Sequence, residues 1–405
     1  MRGLRPLACL LFVVLVVAEA PVAARAQEPR PLRLRVVSHN VWGLPWGISR
    51  QREERLAALG PALAALKPDV VALQEVWVPA DGERLARDLA AAGLVHHRHV
   101  SEGLLGSGLL VASRYPLQGA RFVEFYLAGK PHRVGHGDFY ARKGALLLRL
   151  DTPAGPLLLA DTHWHARYGT CEYEALQVTQ ALQVIDLLGD HGARPPARPD
   201  DPARPPLVLC GDLNSERGDL PFRLLCAGAA LRAPRAPLRI DWLLARDGGR
   251  VRVDVLGVRP HALSDPHPLP GGGRARLSDH DAVVVDLRLA PGRPRAEPPE
   301  QARERWEAVS AEAIRLLERE RAAVRDLQER ALGRAVVLGL ASLLLFLGAR
   351  AWSRRKEKPG RLGCALGGAS LLALHLLAWA IYFGALFAPY YAAGLARGLA
   401  RLGAG

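Results

Sequence analysis

The sequence predicts an α/β domain set between a removable export signal and a transmembrane helical hairpin. Three observations carry that expectation. Residues 1–26 place Arg2 and Arg5 before an apolar run from Leu7 to Ala18 and end on the small-x-small triplet Ala24-Arg25-Ala26. From Leu32 to about Leu289, short apolar runs alternate with amphipathic ones. Two long apolar segments then enclose the basic stretch "SRRKEKPGR".

Taken in order, the first segment is shorter than the ~20 residues of a comfortable membrane span, which marks it for removal rather than anchoring. The unit 27–290 holds strand candidates "LRLRVVSHNV", "DVVALQEV", "GLLVASR", "GALLLRL", "LLLADTHWH", "PLVLCGD", "IDWLLA", "RVDVLGV" and "AVVVDLRL". Its helix candidates, "REERLAALGPALAAL", "GERLARDLAAAG" and "EALQVTQALQVIDLLG", keep apolar residues on one face, as helices covering a sheet do. The Pro/Gly-rich "GARPPARPDDPARPP" and "SDPHPLPGGGRAR" are loops. Residues 291–300 are a Pro-rich linker. Residues 301–333 are helix-prone, with Trp306, Val309, Ala313, Leu316, Ala323 and Leu327 near a 3.5 spacing, and predict a stem. Glu320 interrupts that seam, so a helix lying along a bilayer surface is the other reading. The spans are 334–351 and 362–389, the basic turn 352–361 and the tail 390–405.

Arg354, Arg355, Lys356, Lys358 and Arg361 favour a cytoplasmic turn, but Arg319, Arg321, Arg325, Arg330 and Arg334 nearly cancel that bias on the other side. The export signal therefore decides the topology: a multi-pass membrane protein with 27–290 on the non-cytoplasmic side. His375, inside the second span, is expected to hydrogen-bond to the partner helix.

A net charge of +14 attracts phosphate backbones in principle. Here the excess is arginine spread with Ala, Gly and Pro and concentrated in the stem and turn, so no nucleic-acid partner is expected. With Cys9 in the signal and Cys364 in a span, Cys171, Cys210 and Cys226 remain, an odd number, and Cys210 lies in a strand as a buried thiol.

Chemistry gathers where predicted strands stop. "GDLN" puts Asp212 and Asn214 at the carboxyl end of a strand, the position where α/β proteins keep ligand sites, although a simple Asx turn reads the same. Asn40 ends "VVSHN", Glu75 ends "VVALQE", His163 and His165 end "LLLADTHWH", and Asp241 opens "DWLL". Asp279 and His280 precede "DAVVV". Singly, each has an ordinary explanation as a turn residue, a cap or a core histidine. Together they form an inventory: carboxylates with an amide are hard ligands suited to Mg²⁺, and two histidines offer a base and a partner for an oxyanion.

The set "HNVWG", "LQEVW", "DTHWH", "GDLNS", "RIDW" and "SDH" resembles, in order, the endonuclease/exonuclease/phosphatase superfamily of Mg²⁺ phosphodiesterases. "NVWGLPWGIS", "GSGLLVASRYP" and "HGDFYARKGALLL" are most similar to its neutral sphingomyelinases, a type of which also ends in two membrane helices. The resemblance covers residues 33–289 and implies a four-layer αββα sandwich of two packed mixed sheets flanked by helices, with its site at the sheet edges. It implies that Glu75 is the principal Mg²⁺ ligand (Mn²⁺ being the alternative), with Asn40 close to the metal or the phosphate and Asp279 near the metal. Asp212 would orient the attacking water or join a second metal site, Asn214 bind a phosphoryl oxygen, His280 act as base under Asp241, and His163 stabilise the pentacovalent state or assist the leaving group. His165 receives no role. In a related branch of the family, an Asp and a Lys five residues apart form a conformational switch. Asp138 and Lys143 have that spacing here, as does any ordinary surface ion pair.

The function so implied is phospholipase-C-type hydrolysis of sphingomyelin, or of a choline lysophospholipid, to phosphocholine. The substrate would lie in the bilayer that receives the hairpin, and no oligomeric state is implied. A membrane-tethered nuclease of the same superfamily and a silent membrane scaffold are the alternatives. Trp42 and Trp46 are expected either to insert at the interface, to stack on a quaternary ammonium, or to pack in the core. Activity on dispersed substrate is expected to survive a cut near residue 290.

Overall fold

The computed structural model describes residues 30–403 apart from 46, 102–105, 131–132, 134, 170–172, 190–202, 296 and 355–360. The predicted export signal, Trp46, Cys171 and most of the predicted basic turn therefore lie outside the described residues. Period-2 alternation decides the architecture. In β1 (Leu32–Asn40), β2 (Val70–Gln74), β7 (Gly155–His163) and β8 (Leu207–Asp212), the odd-even pattern sends Val36, Ala72, Leu159 and Val208 into one shared core.

One sheet has the order β10-β13-β1-β2-β4-β3, completed by β3 (His96–Val100), β4 (Leu109–Ser113), β10 (Val251–Ala262) and β13 (Ala282–Pro291). The other runs β5-β6-β7-β8-β9, with β5 (Leu117–Glu124), β6 (Gly144–Thr152) and β9 (Asp241–Arg246). A two-strand ribbon of β11 (His267–Pro268) and β12 (Arg274–Ala275) stands apart. Both main sheets are mixed: β1 with β2 and β7 with β8 are parallel, and their other pairings are antiparallel. The outer face of the first sheet is covered by α1 (Arg52–Ala65) and α2 (Pro79–Ala91). The outer face of the second carries α3 (Glu174–Leu187) and α4 (Leu220–Ala229). This is the four-layer αββα sandwich.

A further helical layer lies outside α3 and α4. Helix α5 (Pro299–Arg354) runs unbroken from the predicted stem through the first span. Its Val309, Ala313, Leu317 and Val324 are buried in the same cluster as α3 and α4, so residues 301–333 lie along the domain rather than holding it away from the membrane. The second apolar helix, α6 (Arg361–Ile381), passes through a π-helical turn at Tyr382–Phe387 into α7 (Ala388–Arg401). The predicted tail is thus mostly helix, and its Tyr391, Leu395 and Leu399 are buried against the domain. Glycines permit the close approach: a Cβ on Gly394 would meet Leu127 Cδ2 at 2.3 Å, and one on Gly398 would meet Leu317 Cδ1 at 3.1 Å. Covered on both sides, α3 buries nearly every side chain, where its sequence pattern suggests a one-sided helix.

Between these docked ends the helices present bare apolar surface, with Val336 64% and Leu344 69% exposed on α5, and Leu371 70% and Leu386 62% on the returning helix. Both are long and apolar enough to cross a membrane. His375 Nε2 accepts from Trp379 Nε1 at 3.1 Å, one turn away in its own helix, which corrects the expected bond to the partner helix. Cys210 is buried and Cys226 half-buried, and both are free thiols.

Candidate active site

The alternation that builds the core also builds the site. On the inter-sheet face, Val36 and Ser38 lead to Asn40, Val70 and Ala72 to Gln74, Leu159 and Asp161 to His163, and Val208 and Cys210 to Asp212. Each strand is apolar along its length and polar at its end. The parallel pairings align those ends: Asn40 sits opposite Gln74, and His163 opposite Asp212. Leaving β2, Glu75 takes a left-handed φ of 63°, and Asn214 after β8 takes 45°. Both lie in the small region that costs a non-glycine residue energy and that clusters at functional sites.

Asn40 ties the two central carboxylates, its Nδ2 donating to Glu75 Oε1 at 2.9 Å and to Asp212 Oδ2 at 3.0 Å. Its Oδ1 accepts the Trp42 N–H at 3.0 Å, which fixes the amide orientation. Asn40 therefore presents nitrogen, not oxygen, to the expected metal position and holds the carboxylates in place. Asp212 Oδ1 accepts the Asn214 N–H at 2.9 Å, while Asn214 Nδ2 donates to Trp164 O at 3.1 Å. Trp42 lies under the Arg55 guanidinium, 4.7 Å from its centroid. That contact employs the ring inside the protein, in line with the packing alternative.

His280 Nδ1 lies 2.9 Å from Asp241 Oδ2, which leaves Nε2 3.8 Å from Asp212 Oδ2. Burial alone depresses this imidazole, but the hydrogen bond it donates to Asp241 and the charges of Asp212, Asp241 and Asp279 raise it to about 10. Burial, with the charge of Asp241, pushes Asp212 up to about 6. Burial also raises Glu75. Asp279 is exposed on the rim, 3.3 Å from Ser278 Oγ.

His163 is surrounded differently from the sequence expectation. Its Nε2 lies 2.8 Å from Lys143 Nζ, a donor only, so Nε2 accepts and the ring proton sits on Nδ1. Burial and the Lys143 charge hold its pKa well below 6.5. Lys143, 4% exposed, also donates to Trp164 O at 2.9 Å and pairs with Asp138 at 2.8 Å. Asp138 and Lys143 are thus a buried pair inside the site, not a surface pair. Against its burial, Lys143 and the nearby histidines hold Asp138 below the usual carboxylate range. His165 stacks on Tyr173 with centroids 4.0 Å apart, and burial lowers it to about 4.

Two further polar residues escaped the sequence reading. Gln74 Nε2 donates to Asp161 Oδ1 at 2.7 Å, a buried tie between the sheets directly beneath the site. Burial pushes the Asp161 carboxyl well above its ordinary value, and its Oδ2 has no hydrogen-bond partner among the described residues. The signal available in sequence was periodicity: Gln74 and Asp161 fall on the core face.

The donor set suits a hard divalent cation. Asp212 is buried and Glu75 half-buried beside it, joined only through the neutral Asn40 amide, and Asp241 Oδ1 is a buried acceptor lacking a partner among the described residues. Asp212, Asp241 and His280 also place one ligand atom each within 4.8 Å of one another. The His280–Asp241 hydrogen bond already accounts for that pair, so the oxygens of Glu75 and Asp212 fit Mg²⁺ better.

A two-sheet sandwich with carboxylates, amides and histidines converging on one edge defines the phosphoesterase fold class. The chain belongs to the Endonuclease/Exonuclease/phosphatase family, whose sequence profile matches residues 37–280. It is 30% identical over 295 residues to the "Putative neutral sphingomyelinase" of Drosophila melanogaster, a match covering 66% of this chain and 63% of that one. To sphingomyelin phosphodiesterase 2 of Homo sapiens it is 33% identical over 196 residues, 48% of this chain and 44% of the relative. To inositol phosphosphingolipids phospholipase C of Schizosaccharomyces pombe it is 37% identical over 158 residues, 38% and 37% of the two chains. The chain therefore spans less than two thirds of the length of these relatives. The crystal structure of sphingomyelinase C from Streptomyces griseocarneus superposes with a TM-score of 0.48 at 19% identity, covering 63% of this chain and 99% of that one.

Proposed function

We propose that this chain is a membrane-held, divalent-cation-dependent phosphodiesterase of the phospholipase C type. It hydrolyses sphingomyelin, or a choline lysophospholipid, to phosphocholine and ceramide or a glyceride. The observation that carries this reading is the convergence of Asn40, Glu75, His163, Asp212, Asp241 and His280 on one sheet edge of a domain fixed to two apolar helices.

Asp241 holds the Nδ1 proton of His280, so Nε2 faces the carboxylate of Asp212. A water bridging Nε2 and Asp212 Oδ2 gives its proton to Nε2 as its oxygen attacks phosphorus, and the bond from phosphorus to the lipid oxygen breaks on the opposite side. The resulting imidazolium is stabilised by Asp241, and the departing lipid oxygen takes a proton from solvent. Lys143, oriented by Asp138 and His163, supplies positive charge beside the site, and neutral His163 positions it. Asn214 offers its amide next to Asp212. Mg²⁺ or Mn²⁺, when bound at Glu75 and Asp212, supplies charge neutralisation and polarises the phosphoryl oxygens. A cation held there would also offset the Asp212 charge that, with Asp241, favours the protonated His280, which would leave Nε2 free to accept the water proton.

The unit 27–290 carries the chemistry, and the helices hold it at a membrane on the non-cytoplasmic side. The test is product analysis with the purified full chain. Phosphocholine should be released from sphingomyelin or lysophosphatidylcholine vesicles in the presence of Mg²⁺ and not in excess chelator. Cleavage of DNA with no phosphocholine release would replace this reading with the nuclease one.

A further inference from the structure

We infer that the catalytic edge faces, and draws substrate from, the leaflet of the membrane that holds the chain's own hairpin, so that hydrolysis is confined to that bilayer. The juxtaposition behind this is the connection from β5 to β6, whose described residues 125–130, 133 and 135–143 adjoin the site on one side and rest on the domain-docked ends of the hairpin helices on the other. It leads from β5 to β6 and so lies at the end of the second sheet where β7 and β8 deliver His163 and Asp212, since β6 starts antiparallel to where β7 finishes. It also carries Asp138 and Lys143.

On its other side the segment is gripped three times. Tyr390 OH donates to Tyr126 O at 2.6 Å. Lys130 pairs with Glu320 of α5 at 3.5 Å and lies 5.8 Å from the centroid of Tyr391. Leu127 packs against Gly394. Tyr140, in the 3-10 turn Gly137–Tyr140, is 49% exposed and lies near Tyr382, the first residue of the π-helical turn after α6. Tyr382 is flanked by Ile381 and Leu386, 46% and 62% exposed, where the bare apolar surface of the hairpin ends. The catalytic edge is therefore the membrane-proximal edge.

Reach argues the same way. A free stem of 33 residues would extend the domain by about 50 Å at 1.5 Å per residue, enough to meet another membrane. Residues of that segment are instead buried in the domain's own core as far as Val324, with Ala331 buried just before the apolar surface starts. No spacer remains to lift the site away.

This inference rests on the proposed lipid phosphodiesterase activity, and two measurements separate the two. In the first, full-length protein is reconstituted into vesicles carrying one isotopic form of sphingomyelin and mixed with protein-free vesicles carrying another. Release from the host vesicles should exceed release from the acceptors by at least ~10-fold at equal lipid, because tethering raises effective concentration. Similar rates from both pools would overturn the inference. The second needs no turnover. A fluorophore on Tyr140→Cys, with Cys171, Cys226 and Cys364 changed to Ser, should be quenched by headgroup-attached quenchers in the host bilayer. One on Pro153→Cys, in the β6–β7 turn at the far end of the sheet, should not be. Equal quenching at both positions, or none at Tyr140→Cys, would overturn the inference whatever the activity. Quenching at Tyr140→Cys alone, with neither lipid cleaved, would leave the orientation standing and remove the lipid-hydrolase reading.

Discussion

Asp212 is the residue on which the site's electrostatics turn, touching Asn40 directly and lying 3.5 Å from His163 Nε2 and 3.8 Å from His280 Nε2. Its neighbour Glu75 is half-buried at a cost, so Glu75→Gln should abolish turnover, by ~10²-fold or more if a principal charge at the phosphoryl group is lost. The melting temperature should hold or rise, because a raised carboxyl is relieved. Parallel turnover assays and thermal melts check this, and loss of folding would point to a structural role instead. Asp241→Asn should lower turnover by ~10²–10⁴-fold through the wrong His280 tautomer. It should also move the His280 titration, read by NMR on metal-free protein, down from about 10 toward 6.5. The sign for stability follows. Both Asp212 and His280 have folded values above their ordinary ones, 3.8 and 6.5, so each favours the folded state at low pH. The Asp212 contribution is present below about 4 and lost as pH rises through about 6. The His280 contribution is present below about 6.5 and lost as pH rises through about 10. Metal-free protein should therefore lose stability in two steps on raising pH, and Asp241→Asn should flatten the upper one, as urea titrations would show. Most of these residues were legible in sequence because each ends an apolar run. Lys143 was legible only as one half of a spaced pair with Asp138, since its contact with His163 depends on the β6–β7 register. The sense of Asn40's amide depends on one backbone N–H, that of Trp42.

At the scale of elements, long apolar strands and amphipathic helices such as α1 and β13 announce themselves, and the structure places them within a few residues of expectation. Two of the strands that escape lack a periodic apolar face. β3 is "HHRHV" and β5 is "LQGARFVE", both stabilised by backbone pairing to better-marked neighbours. α4 is short and contains Gly228, whose space is taken by Ile185 and Trp306. α7 reads as a tail because its glycines depress helix propensity, yet those glycines are what lets it dock. Gly394→Val should clash with Leu127 and cost about 1–3 kcal/mol by overpacking, or roughly 2–4 °C of Tm per kcal/mol. It should also lower turnover, because Leu127 begins the segment that leads to Asp138 and Lys143. A melt and an initial-rate assay on the detergent-solubilised full chain check both, and an unchanged Tm would show that α7 shifts to make room.

For the whole molecule, apolar content and length reveal a domain and a hairpin but not whether the two share a core. The Pro-rich linker at 291–300 suggests separable parts, and a chain cut near residue 290 is then expected to keep its activity. The packing argues otherwise. Val309, Ala313, Leu317, Val324, Phe387, Tyr391, Leu395 and Leu399 all lie in the cluster that covers the second sheet, through α3 and α4. Burying one such side chain contributes about 1.5–3 kcal/mol, whereas a whole domain is stable by only about 5–15 kcal/mol. Losing eight such contacts, one of them an alanine's, is comparable to that whole margin, and the cut would also bare the outer face of α3 to water. Residues 27–290 expressed alone should therefore aggregate or remain protease-sensitive, with turnover lost on dispersed as well as vesicular substrate. The full chain in detergent should keep activity on both. If the shortened chain instead gave a cooperative melt and normal turnover on short-chain substrate, the helices would be a tether alone, and the shared core would be dispensable to the fold.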